Sequence, residues 1–554
     1  MKKMLLFLLT LLTVVMLAAC TANDDAGKEE PAENTDHAEG DAEAAENEDD
    51  GKVLRLNNGI EPKSLNPSIG FDSVSWTPLN NLMEGLTRLD EQSTAQPGAA
   101  EKWDISEDGK TYTFHIREDA NWSNGDPVTA EDFVFAWKLM LDPEQDPPSP
   151  AAFLGYFIKG GEAFNSGEGS ADDVAVKAVN EKTLEVELEA PTGFFLDLLT
   201  NPAFFPIHHQ VAEENPTWHA EADSFVSNGP FKLTEWEHES EMVFEKNEEY
   251  WDADAVKLDK VHWAMVNDDN TQYQMFERGE LDTASIPAEM SDQLIDGDNV
   301  FIGDYGGLEF YRFNLTMEPF QNKKIRQAFA YAINRQDIAE FVVKNGVDPA
   351  FGFVSPGFTG PSGSDFRDAN GDLVTLDEDK AKQLLEEGMK EEGYDELPEV
   401  VLSYNTSDTN KAVAETVQDM IKENLGVEIK LENQEWEVFS AAQQDLELQF
   451  SRSSFINDYN DPVNFLESFI TDSYMNRTGF SNEKYDDLIA KGKSEVDEEK
   501  RWEYLYEAEK LLAEEMIILP IRYYNTVALE SDKVSGILRH PVGYMDLKYA
   551  DKQQ

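Results

Sequence analysis

Residues 413–431 read VAETVQDMIKENLGVEIKL, and the hydrophobic period changes once inside that stretch. Val413, Val417, Met420, Ile421 and Leu425 recur at three- and four-residue steps, which places them on one face of a helix. Gly426 offers the backbone freedom that a helix C-terminus uses, and Val427, Ile429 and Leu431 then alternate as in a strand. A helix running straight into a strand is the unit from which α/β folds are assembled.

The same alternation extends outward. Thr111 to Arg117 (TYTFHIR) and Thr183 to Glu189 (TLEVELE) switch between polar and apolar residues, as half-exposed strands do. Ile325, Phe329, Ala332 and Ile333 predict one helix from about Asn322 to Phe341. Trp502, Leu505, Tyr506 and Leu512 predict a late helix ending before Pro520. Gly/Pro clusters place loops at Asp142 to Pro150, Gly160 to Gly169 and Ser355 to Gly363. The expectation is an α/β protein with several mixed sheets. Its length exceeds what one core usually serves, so two or three domains are expected. No internal repeat is seen.

The N-terminus carries an address. Met1-Lys2-Lys3 is positive, Leu5 to Leu17 is almost wholly apolar, and small residues lead to Cys20, the sole cysteine. This is the pattern of an export signal over residues 1–19, too short for a membrane span. Its close resembles a bacterial lipobox, with Cys20 lipidated as the new N-terminus. Residues 21–52 hold 13 acids, 2 bases and no aromatic, which predicts a disordered acidic tether across 20–52. The whole chain sets 111 acids against 45 bases, a net charge of −66. That field argues against nucleic acid, whose phosphates require Lys and Arg. Acid in excess over the globular part suits a salt- or alkali-adapted bacterium. Without a second cysteine the chain has no internal disulfide.

Enzyme signatures are missing: there is no Gly-x-Ser-x-Gly elbow, Walker loop or His-Glu-x-x-His helix. His208, His209 and His219 lack the spacing of a metal site and read as a turn or helix end. Asp368, Asn370 and Asp372, with Asp379, only faintly resemble a calcium loop. Leu373 stands where that loop needs glycine, so an Asx-rich surface turn is the better reading.

Phe450 to Phe469 (FSRSSFINDYNDPVNFLESF) sets Arg452, Asp458 and Asp461 among Phe450, Phe455, Tyr459, Phe465 and Phe469. A carboxylate and a guanidinium six positions apart among aromatic rings suit a zwitterion such as a peptide. A solvated charged rim is the alternative on these residues alone.

Ordered blocks along the chain resemble the family 5 extracellular solute-binding proteins of the oligopeptide, dipeptide and nickel ABC transporter class, especially oligopeptide-binding lipoproteins. They begin with Glu61 to Pro67 (EPKSLNP, with Asn66 for the usual Asp), Met83 to Arg88 and Ala100 to Trp103. Ser106 to Phe114 leads into Asn121 to Phe133 (NWSNGDPVTAEDF), the most diagnostic block. Asn228 to Lys232, Phe320 to Phe329, Ala332 to Arg335 and Asp546 to Ala550 follow.

The resemblance implies a two-lobed periplasmic-binding-protein-like fold with an extra domain and a ligand cleft between the lobes. It assigns 53–85, 222–308 and 525–554 to lobe I, 86–221 to an extra domain packed on it, and 309–524 to lobe II. Asp458 matches the acid that holds a peptide's α-ammonium, and Arg452 a residue near the ligand's carboxylate end. Trp436 and Tyr305 match pocket-lining aromatics, while Phe455 stands where relatives often have Trp; Tyr459 adjoins them.

The implied function is capture of oligopeptides for an ABC permease and its ATPases. No cofactor is implied, and a monomer is expected. Cys20 would hold it on the extracellular face of a cell membrane, Gram-positive by preference, with the periplasmic face of an inner membrane as alternative. A dipeptide, signalling peptide, opine or metal chelate would be other ligands for the same fold. An exported enzyme or surface chaperone would be a different class.

Overall fold

The computed structural model describes residues 51–553, so the expectations for the signal, for Cys20 and for the tether up to Asp50 lie outside the described residues. Lys52, drawn with the tether, belongs instead to the body. Its amide donates to Asp259 at 2.7 Å and its ammonium lies 2.6 Å from Asp551.

The largest sheet has six strands: β1 (Thr283–Ala284), β2 (Val300–Phe313), β3 (Val400–Asn405), β4 (Ile429–Gln434), β5 (Phe450–Ile456) and β6 (Ile518–Glu530). Their spatial order is β1-β6-β2-β5-β3-β4. β3 and β4 are parallel and are joined by the helix Asp408–Leu425, the crossover read from residues 413–431. Val413, Val417 and Ile421 are buried on its inner face. Gly426 takes φ 70° at the C-cap and returns its N–H to Lys422.

An added Cβ at Gly426 would meet nothing within 4 Å, so only backbone conformation constrains the position. Gly426→Val should therefore cost about 1–2 kcal/mol, and Gly426→Asn distinctly less. Matched urea midpoints for the valine variant and the parent would contradict this.

β2 and β6 are long and antiparallel, and their register breaks in the middle. Between Asp304↔Asn525 and Leu308↔Tyr523, residues 305–307 of β2 face Tyr524 alone on β6. Such a bulge bends a strand and re-aims its side chains. Gly306 and Gly307 are what make it possible: a Cβ on Gly306 would lie 2.1 Å from the Asn457 amide, and one on Gly307 2.6 Å from the Tyr524 ring.

Two four-stranded sheets complete the framework. In one, Val53–Asn57 lies parallel to Lys260–Ala264, followed by Glu241–Lys246 and Phe231–Glu237. The other is antiparallel and orders Ala100–Ile105, Thr111–Ile116, Thr183–Glu187 and Val176–Asn180. The block 121–133 explains itself locally. Thr129 and Asp132 form a capping box that starts the helix Ala130–Leu141, and Asp132 also accepts from the Trp122 indole at 3.2 Å.

Three expectations are corrected. The helix foreseen over 322–341 is Lys323–Tyr331, then a break, then a short turn Arg335–Asp337 and a π-helical stretch Ile338–Val343. The Asn334 side chain caps the second part. Arg335, 1% exposed, donates to the carbonyls of Ala330, Ile333 and Pro520, replacing the lost helical bonds. The loop foreseen over 160–169 contains a helix, Gly161–Asn165. The Asx-rich turn at 368 falls partly in the helix Phe366–Asn370, which Asp365 caps; Asn370 there donates to Glu509.

Candidate functional site

β5 stops at Ile456 because its partner β2 bulges at Gly306–Gly307, and the chain turns at Asn457, whose amide donates to Gly306 at 2.9 Å. Neighbours pin the turn from several sides. The Asp458 amide donates to Asn464 at 2.7 Å, and its carbonyl accepts from the Asn201 side chain at 2.8 Å. Asn460 donates to the carbonyl of Ser93, and Asp461 meets the Arg501 guanidinium at 2.5 Å. A loop held this firmly presents one carboxylate in a fixed place.

That carboxylate, Asp458, lines a cavity of about 550 Å³, within the range typical of small-molecule sites. Phe455, Glu467, Asp472 and Tyr474 line it too, with Phe71 and Phe153 contributed from distant parts of the chain. Burial pushes the Asp458 carboxyl up to about 6; the charge of Glu467 adds to this, and a hydrogen bond to Asn464 opposes it. Glu467 has partners of its own, Lys493 at 2.8 Å and the Tyr459 hydroxyl at 2.6 Å. No cation among the described residues offsets Asp458 in this way.

The other residues singled out in the sequence fall in different places. Phe455 does line the cavity, held edge-on by Phe465 at 5.1 Å. Tyr459 does not: it is 2% exposed and stacks on Phe194 at 5.0 Å, so it packs the turn from behind. Trp436 opens the helix Trp436–Gln444, is 59% exposed and stands apart from the cavity. Tyr305 sits in the bulge of β2, close to Gly543 and Tyr524, and also outside the cavity lining.

Arg452 is occupied. It lies 3.0 Å from Glu309 and donates to the Tyr524 hydroxyl at 2.9 Å, while Arg522 takes the other oxygen of Glu309 at 2.6 Å. Burial alone would raise Glu309, but Arg452 and Arg522 outweigh it and hold the carboxyl below its usual range. Two guanidiniums sharing one carboxylate leave one unit of positive charge in this part of the sheet.

Each histidine of the suspected cluster also has a role of its own. His208 lies 3.1 Å from Asp126, His209 2.7 Å from Asp132, and His219 3.5 Å from the Ser64 hydroxyl. Sequence reading missed Phe71, Phe153 and Glu467. Glu467 was within reach, lying inside the aromatic block, whereas the two phenylalanines sit in segments that local pattern does not connect to Asp458.

A carboxylate free of cations in a cavity walled by aromatic rings defines a binding site for a cationic, partly apolar ligand. Residues 94–477 match the family model for bacterial extracellular solute-binding proteins, family 5. The chain belongs to that family. Its members are binding proteins of ABC transporters and not enzymes, with a two-lobed α/β fold and peptides as ligands at the family level.

Among relatives, the dipeptide-binding protein DppE of Bacillus subtilis is 56% identical, over 97% of this chain and 96% of its own length. Among solved structures, the unliganded open form of the periplasmic murein tripeptide binding protein MppA superposes with TM-score 0.80 at 29% identity, covering 91% of this chain and 97% of that one. OppA of Listeria monocytogenes bound to peptide gives TM-score 0.69 at 30% identity, covering 91% and 99%.

Proposed function

We propose that this chain is the membrane-anchored receptor of an ABC importer, capturing oligopeptides by α-ammonium and backbone and handing them to a permease. The observation that carries the reading is Asp458, a carboxylate with no cation of its own among the described residues, displayed in the cavity by a turn pinned on several sides. A peptide ammonium supplies the missing charge.

In this reading residues 53–85, 222–308 and 525–554 make lobe I, 86–221 the extra domain, and 309–524 lobe II. The lobe boundaries at 308/309 and 524/525 then fall beside the bulge of β2 and β6, the natural place for a hinge. The better superposition on an unliganded open form than on a peptide-bound one supports reading the present arrangement as open. A dipeptide is the second reading, favoured by the name of the 56% identical relative.

Calorimetry with a panel of di- to pentapeptides tests both. Binding that peaks at one length chooses between them, and binding of no peptide overturns the transport reading. Mass spectrometry of copurified ligand is a direct complement.

Cys20, lipidated, would keep the receptor on the extracellular face of a Gram-positive membrane, working as a monomer at the end of its acidic tether. Cys20→Ser should move the protein from the membrane pellet to the soluble fraction. Retention in the pellet would contradict the anchor.

A further inference from the structure

The lining of the cavity beside Asp458 mixes charge and apolar surface. Three carboxylates belong to it: Asp458 awaits a cation, Glu467 is held by Lys493 and Tyr459, and Asp472 is exposed to solvent. Rings and branched chains supply its apolar lining: Phe71, Phe153, Phe455, Ile470 and Tyr474.

Phe71 and Phe153 are held by packing. Phe71 stands edge-on to Trp76 at 4.9 Å, and Trp76 in turn to Tyr544 at 6.3 Å. Phe153 lies edge-on to Phe71 at 5.8 Å. It projects from the turn Ala152–Phe157, whose buried Ala152, Leu154 and Gly155 anchor the backbone. Yet Phe153 is 39% exposed and Tyr474 73% exposed. Large apolar groups left in contact with water around a cavity mark a surface awaiting an apolar partner.

Deepening the peptide reading above, we propose that this cavity selects peptides whose first residue carries a bulky apolar or aromatic side chain, with Phe153 as the specificity-determining residue. Anchoring the ammonium at Asp458 leaves the first side chain as the nearest part of the ligand to the ring wall. An acidic first side chain meets three carboxylates, Asp458, Glu467 and Asp472. A basic one finds Asp458 taken by the ammonium and Glu467 by Lys493, and is left with Asp472, whose exposure makes an ion pair worth little. An apolar one covers Phe71, Phe153 and Phe455 and removes their surface from water.

The test is calorimetry at pH 8 with Phe-Ala-Ala, Gly-Ala-Ala and Asp-Ala-Ala on the full chain and on Phe153→Ala and Phe153→Leu. The parent should bind Phe-Ala-Ala about tenfold to a hundredfold tighter than Gly-Ala-Ala, and Asp-Ala-Ala weakest. Phe153→Ala should shrink the Phe-to-Gly ratio severalfold, and Phe153→Leu should restore part of it. Because Phe153 is partly exposed, truncating it opens no sealed core, and an unchanged far-ultraviolet circular dichroism spectrum checks this. Binding of all three peptides with equal affinity, or a ratio untouched by Phe153→Ala, overturns the selectivity while leaving the peptide receptor intact. Binding of none overturns the receptor reading and the selectivity with it.

Discussion

Asp458→Ala is expected to weaken peptide binding by about thirtyfold or more, the range seen when one partner of a buried, hydrogen-bonded charge pair is removed. Most of that loss comes from burying an ammonium with nothing to balance it. Asp458→Asn keeps the shape and one acceptor oxygen but removes the charge, and should lose nearly as much.

The acid behaviour follows from the same environment. With burial pushing the carboxyl up to about 6, peptide affinity should be flat above about pH 7 and decline as the pH falls through 6. Binding near pH 6 should release a fraction of a proton, read as a dependence of the calorimetric heat on buffer ionisation enthalpy. The ligand-free protein moves the other way. A carboxyl raised in the fold contributes stability that is present at low pH and lost as the pH rises through its folded value. An affinity that stays constant from pH 8 to 5 would contradict this account of the cavity, as would an Asp458→Asn variant that keeps the parent's pH profile.

The second large effect concerns the fold. Glu309→Ala should destabilise the protein by about 3–5 kcal/mol, because two buried guanidiniums lose their shared counter-charge. Glu309 is fully buried, and the Arg452 and Arg522 side chains are each 11% exposed. Since the arginines hold its carboxyl below the ordinary range, its contribution is complete above that range and is lost as the pH falls through its depressed value. The gap between parent and Glu309→Gln in urea unfolding should therefore be wide at pH 7 and narrow in strong acid. A gap that widens in acid would contradict the assignment. The triad also revises the role foreseen for Arg452. It cannot serve as an unoccupied carboxylate receptor, and any attraction for a ligand's carboxylate end comes from the surplus charge of the group.

How much was readable in advance depended on how local each signal was. The helix Asp408–Leu425, its glycine stop and β4 were legible because period and cap chemistry all lie within two dozen residues. The break after Tyr331 was not, because the carbonyls that Arg335 satisfies include that of Pro520, 185 positions away. Asp458 was singled out by its own block and by family resemblance, and it lines the cavity. Its neighbour Tyr459 lies instead in the packing against Phe194, a contact with a residue more than 250 positions away that local pattern does not reveal. Phe71 and Phe153 could not be seen at all, as only tertiary folding brings them to Asp458.

Everything proposed for the cavity turns on a peptide's free ammonium being held by the carboxylate of Asp458. Calorimetry of one peptide against its N-acetylated twin tests it most directly, because side chains and backbone are shared and only the ammonium is removed. The free peptide should bind, and acetylation should weaken it by about thirtyfold or more. Equal affinity for the two would contradict it.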